Sequence, residues 1–184
     1  MALEIARAAA AAERDDNLHV ARLLLLLATR SDKENKPMEG LTKLAKLDFL
    51  LRYPTNLERA LSREGKDRAQ AQIEPYERTT IESKMIRFKY GPWDHRYRRW
   101  AAIMVAKGLA QIYLKGKTVC LQLTDQGRDL AHEFGTQPDF EKLANRARVV
   151  NKNFGMKSGT WLKTFVYSTF PELASMKWGE EIAP

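Results

Sequence analysis

The sequence predicts an α+β fold, mainly helical, in which a small β-hairpin follows directly on a basic helix and further helices close the C-terminal end. Three observations carry this prediction. Apolar residues recur at helical spacing over most of the chain. Residues 84–90, 110–114 and 118–123 instead alternate with the period of a strand. Lys115, Gly116 and Lys117 join the last two strands as a tight turn.

The elements follow in order. Residues 1–14 are expected as a loose arm or helix, since termini stay mobile unless docked. Asp15, Asp16 or Asn17 can cap a first helix with Leu18, Ala21, Leu25 and Ala28 on one face. Leu23, Leu24, Leu26 and Leu27 widen that face almost to all sides, which predicts burial at the centre of the fold. The polar run SDKENKPMEG ends this helix. A second helix runs from Gly40 or Leu41 to about Tyr53, with leucines on one side and Lys43 and Lys46 on the other. Pro54 stops it. Thr55 or Asn56 can cap a short third helix over Leu57–Leu61, and the stretch from Ser62 to Thr80 is weak helix or ordered loop.

Gly91 and Pro92 are expected to turn the chain after the first strand, and Asp94 to cap a helix over about His95–Lys107. Gly108 suits a left-handed C-terminal cap. After the hairpin, Thr124 and Asp125 open a helix over Gln126–Phe134, and another spans Asp139–Asn151. The tail from Lys157 to Ile182 reads as helical. The expected organisation is the arm, a main domain over 15–135 and a helical extension over 136–184. The surplus apolar surface of the first two helices is either a subunit interface or is covered by the C-terminal helices.

Charge separates the chain into two parts. The 184 residues carry a formal +8. The window Lys84–Lys117 holds nine bases against one acid, Asp94, and the remainder holds 22 of each sign. All of the excess therefore sits in one window. On its helix, Tyr97, Trp100, Ala101, Met104 and Val105 gather on one side at about 100° per residue. Arg98, Arg99, Ala102 and Ala106 gather on the other, with Arg96 and Ile103 at the borders. An arginine front spaced by alanines allows close approach to phosphates or guanine edges. A helix feeding a basic hairpin is the winged-helix arrangement, in which the helix meets the DNA groove and the wing rests on the backbone. The candidate DNA-binding residues are Lys89, Arg96, Arg98, Arg99, Lys107, Lys115 and Lys117. The competing reading is that these bases pair with acids of neighbouring elements. Tyr97 and Trp100 belong to the core by their position, whereas Trp93 suits either packing or stacking on nucleic acid.

The residues for catalysis are absent. His19, His95 and His132 lack ligand-spaced partners, so no metal site is expected. There is no phosphate-binding glycine loop and no GxSxG elbow, so neither cofactor nor enzymatic activity is expected. Cys120 is a small core residue. No leader is expected, and the longest apolar run, Leu23–Ala28, is far short of the roughly 20 residues of a membrane span, which predicts a cytoplasmic protein.

Three stretches carry a family resemblance: EGLTKLAKLDFLLRYP at Glu39–Pro54, IRFKYGPWDHRY at Ile86–Tyr97 and LTDQGRDLA at Leu123–Ala131. The chain resembles the middle component of bacterial ABC-three-component systems, including the Lamassu-type antiphage defence systems, over about Leu23–Ala131. The resemblance implies a non-catalytic accessory subunit that joins an SMC-like ATPase to an effector, often a nuclease. With the basic window it implies contact with double-stranded DNA inside that complex. Two other readings stay open: a free-standing transcriptional regulator acting as a homodimer, and an antitoxin-like adaptor, because a leucine-rich helix followed by a strand and YGP is also similar to the Panacea domain.

Overall fold

A computed structural model describes Ala11 and residues 14–30, 35–78 and 85–182. Most of the N-terminal arm, Lys84 and the end of the 62–80 stretch lie outside the described residues. The fold is α+β and mainly helical, with two small antiparallel sheets.

Helix α1 (Asp16–Ala28) starts where the acidic cluster places it, with the Asp15 carboxylate accepting from the Asn17 N–H at 2.8 Å. Leu23 to Leu27 are all buried. The polar segment after it is more than a connection. Met38 and Glu39 form strand β1 and pair with the later hairpin, Met38 opposite Leu121. Two residues are too few to show alternation, so only the partner strand defines β1.

Helix α2 (Leu41–Arg52) is the centre of the molecule, packed by α1 and by elements contributed later in the chain. Lys43 and Lys46, on the side opposite the leucines, are both buried, because α2 is surrounded rather than covered on one face. Pro54 both stops α2 and supplies the first turn of α3 (Pro54–Arg63). No side-chain cap from Thr55 or Asn56 is involved, since the helix begins before them. The stretch beyond forms two 3₁₀ turns, Arg68–Ala71 and Pro75–Arg78. Its anchor is polar: buried Arg146 donates to the Ala71 carbonyl at 2.8 Å, the Gln72 carbonyl at 2.6 Å and the Glu77 carboxylate.

Strand β2 (Ile86–Phe88) is shorter than the alternation implied, and Gly91 and Pro92 do not turn the chain. They lie in β3 (Gly91–Trp93), and Lys89–Tyr90 is the turn. Pro92 is tolerated because this two-stranded sheet leaves an edge position without a required donor. Helix α4 (Tyr97–Ala106) ends at Gly108, whose φ of 71° is the expected left-handed cap. The hairpin β4 (Ala110–Lys115) and β5 (Thr118–Leu123) turns at Gly116, and β1 adds to it in the order β1-β5-β4.

Thr124 caps α5 (Asp125–Thr136), its hydroxyl accepting from the Gly127 N–H at 3.1 Å. Helix α6 (Pro138–Val150) runs into a π-type turn over Asn151–Gly155. The tail is helical only over α7 (Gly159–Thr169) and α8 (Glu172–Ser175). The rest is irregular, with a turn at Trp178–Gly179, and its end is held along the edge of β2: Glu181 bridges Ile86, and the Arg87 N–H donates to the Glu180 carbonyl at 2.8 Å. One continuous core runs from Val20 to Ile182. Apart from Leu18, 40% exposed at the start of α1, and half-buried Leu41, the leucines of α1 and α2 are covered within the chain, α5 and α6 packing on α1, and α6 and α7 on α2. Among the described residues no helix is long and apolar enough to cross a membrane.

Candidate nucleic-acid interface

The basic face of α4 is held from behind by a chain of buried charges. Tyr97, Trp100, Ala101 and Met104 are buried, as the helical spacing predicts; Val105 is not, at 40% exposure, because α4 ends within a residue of it. The Tyr97 hydroxyl donates to Asp48 Oδ2 at 2.6 Å. Asp48 also receives Arg22 at 2.7 Å and Arg52 at 3.0 Å. Arg52 extends to Asp94 at 3.0 Å, and Asp94 to Arg96 at 2.9 Å. Guanidinium and carboxylate thus alternate from α1 through α2 to the start of α4.

Electrostatics set the states of Asp48, Asp94, Arg52 and Tyr97. Burial alone would raise the Asp48 carboxyl, but Arg22 and Arg52, with hydrogen bonds from Arg22 and Tyr97, hold it well below the usual carboxylate range. Asp94 is depressed against its burial by Arg96 and Arg52. Arg52 is raised above its ordinary value, Asp48 overcoming its own desolvation. Burial and the Asp48 charge push the Tyr97 phenol well above its ordinary value, so it stays a donor. Trp100 closes the arrangement: its indole N–H donates to Asp16 Oδ1 at 2.9 Å, His19 stacks on it at 4.5 Å, and the Arg96 guanidinium lies 5.0 Å over the ring.

The candidate site residues fall into four groups. Arg98, Arg99 and Lys107 lie on the exposed side of α4 and its end, with Ala102 and Ala106 exposed between them. Lys115 and Lys117 flank Gly116 at the hairpin tip, also exposed. Arg96 is half-buried and committed to Asp94, where its side chain and its backbone N–H both donate. Lys89 belongs elsewhere: it is in the β2–β3 turn, its ammonium 5.4 Å from the Tyr90 ring.

Some of these bases already have carboxylates. Arg99 reaches Asp16 at 2.6 Å and Lys115 reaches Glu39 at 2.8 Å. Both cations are 70% exposed, so solvent screens these pairs and a phosphate can replace either acid at little cost. Among the described residues Arg98, Lys107 and Lys117 form no ion pair.

Sequence reasoning missed the supporting residues Asp16, His19, Arg22, Asp48 and Arg52. A signal for them existed: Arg22 and Asp48 interrupt leucine-rich stretches, and Asp48 and Arg52 stand four apart on one helix. Compared with known protein families, with curated proteins and with solved structures, the chain finds no match.

Proposed function

We propose that this chain is a non-catalytic accessory subunit of an SMC-like ATPase defence complex, bridging ATPase and effector and holding double-stranded DNA with a winged helix formed by α4 and the β4–β5 hairpin. One observation carries the DNA contact: Arg98 and Arg99 stand on the open face of a helix whose opposite face is locked by the Asp48 network. The strand order β1-β5-β4, with a helix entering the hairpin directly, suits a winged helix. Alanines between the cations let that face approach a groove.

The hairpin favours a subunit over a lone regulator. Ile112, Leu114 and Val119 share one face, Leu114 opposite Val119, and are 47%, 69% and 39% exposed. An apolar patch beside a basic helix suits a protein partner on one side and DNA on the other.

The test is anisotropy of labelled duplex with the purified chain across a salt series. Binding that weakens with salt by about 0.9 in the logarithmic slope per phosphate contacted is expected, with little sequence preference. Arg98→Glu with Arg99→Glu should abolish it while the far-ultraviolet spectrum stays unchanged. Unaltered duplex affinity in that variant would assign the arginines to a protein partner instead. Co-purification with the products of adjacent genes tests the assembly, and failure to recover an ATPase would remove it.

A further inference from the structure

A second cationic surface lies on the β2–β3 hairpin, and its contacts set it apart from the open face of α4. Three aromatic rings are open there: Phe88, Tyr90 and Trp178 are 40%, 45% and 64% exposed. A turn near the end of the tail brings Trp178 to the hairpin, the Gly179 N–H donating to the Arg87 carbonyl at 2.8 Å. Trp178 then lies 6.4 Å from Phe88, with the Arg87 guanidinium 5.9 Å over its ring. Phe88 is backed by Trp93 at 6.2 Å, which in turn packs on Tyr97 at 5.3 Å. The open rings are therefore mounted on the core rather than on a loose end.

Three lysines converge beside them. Lys89 and Lys163 place their ammonium groups 5.4 and 5.6 Å from the Tyr90 ring. Lys46 of α2 lies beneath, 3% exposed, with its ammonium donating to the Thr42 carbonyl at 3.0 Å. Gly91 runs beside it at a φ of 118°, close enough that a Cβ there would touch Lys46 Cε at 3.7 Å. Among the described residues none of the three lysines has a carboxylate partner. Burial, and then the like charge of Lys163, lower Lys46 to about 8, the behaviour of a cation that lacks a counter-charge.

We propose that this surface binds single-stranded nucleic acid, with bases stacked on Tyr90, Phe88 and Trp178 and phosphates held by Lys89 and Lys163 over Lys46. Duplex DNA hides its base faces and would leave the rings unused. An acidic peptide would meet the lysines but not the open aromatic faces. Rings interleaved with cations are what a strand with both a phosphate backbone and exposed bases requires. The proposal stands independently of duplex binding by α4.

The experiment uses the full chain with a labelled oligothymidine strand, which forms no duplex. Trp178 serves as an internal reporter, because stacking quenches its emission. Tyr90→Ala with Trp178→Ala should weaken the strand about tenfold or more, as expected when two stacking rings are removed. Lys89→Glu with Lys163→Glu should lower the salt slope by about 0.7 for each phosphate no longer neutralised. All four residues are on the surface, so unfolding midpoints should hold. Arg98→Glu with Arg99→Glu should retain strand binding while losing duplex. Strand affinity unchanged by the aromatic variants overturns the proposal. So does strand binding lost in the Arg98 and Arg99 variant alone, which would make α4 the only nucleic-acid surface. Equal competition by polyglutamate overturns it as well, since the lysines would then be reading charge without bases.

Discussion

Asp48 shows what a single buried residue does for this molecule. It accepts from Arg22, Arg52 and Tyr97, which lie on three helices, and it is fully buried. Replacing the whole set by apolar side chains could be close to neutral, but removing one member strands the others. Asp48→Asn keeps the volume and part of the hydrogen bonding, yet leaves Arg22 with no carboxylate and Arg52 with Asp94 alone. The expected cost is about 3–5 kcal/mol, read as a fall in the urea midpoint. Because Tyr97 and Asp94 position α4, duplex binding should fall in the surviving folded fraction too. A loss under about 1 kcal/mol would show that the network adds no more than a surface pair.

Elements in this fold were legible where a local rule fixed them, and illegible where a partner did. The caps at Asp15, Thr124 and Gly108 came directly from residue type, as did the Gly116 turn. Gly127 makes the limit clear. A Cβ there would lie 1.9 Å from the Leu109 carbonyl oxygen, so α5 can sit against the start of β4 only without a side chain. Gly127→Ala gains helix propensity but must move backbone, and the expected net effect is a destabilisation of about 1–3 kcal/mol. A variant as stable as the parent would mean that α5 shifts freely, and the Thr124 cap geometry would then not matter. Nothing local to LTDQGRDLA announces that contact, since it depends on where Leu109 arrives. The same reason hid β1, which exists by pairing with β5, and the non-helical end of the tail, which is held by its hydrogen bonds to the edge of β2. At the candidate interface the sequence showed the arginine face of α4. The carboxylates of Asp16 and Glu39, brought in from before the basic window, became visible only once the chain was folded.

Across the whole molecule, folding buries two cations of α2 that the charge count treats as ordinary surface lysines. Lys43 and Lys46 both fall from 10.5 to about 8, chiefly through desolvation. Lys43 is further lowered by Arg30 and partly restored by Glu39, while Lys46 is further lowered by Lys163. A base with a lower pKa in the folded state has a definite sign of linkage. Between pH of about 8 and about 10.5 the unfolded chain binds more protons, so folding stability rises with pH in that window. Below about 8 the cost of burying both charges is present in full. Opposite trends bound the rise. Asp48 and Asp94 have depressed carboxyls, so stability is lost as pH falls through the acid range. Tyr97 is raised, so its contribution disappears at high alkalinity, once unfolded tyrosine ionises. Net charge works in the same direction as the lysines, because the +8 chain approaches its pI of about 9.6 and self-repulsion fades. Thermal unfolding should therefore show a midpoint that climbs between about pH 7 and about pH 9.5, where many proteins are already past their optimum. Lys43→Met with Lys46→Met should raise the midpoint at pH 7 by the equivalent of a few kcal/mol, roughly 1.4 kcal/mol for each unit of restored pKa, and flatten the climb. The same variant gains least at high pH, where the parent lysines are already neutral. A parent midpoint that is level or falling over this range, or a double variant no more stable at pH 7, would place the two ammonium groups in contact with water despite their packing around α2.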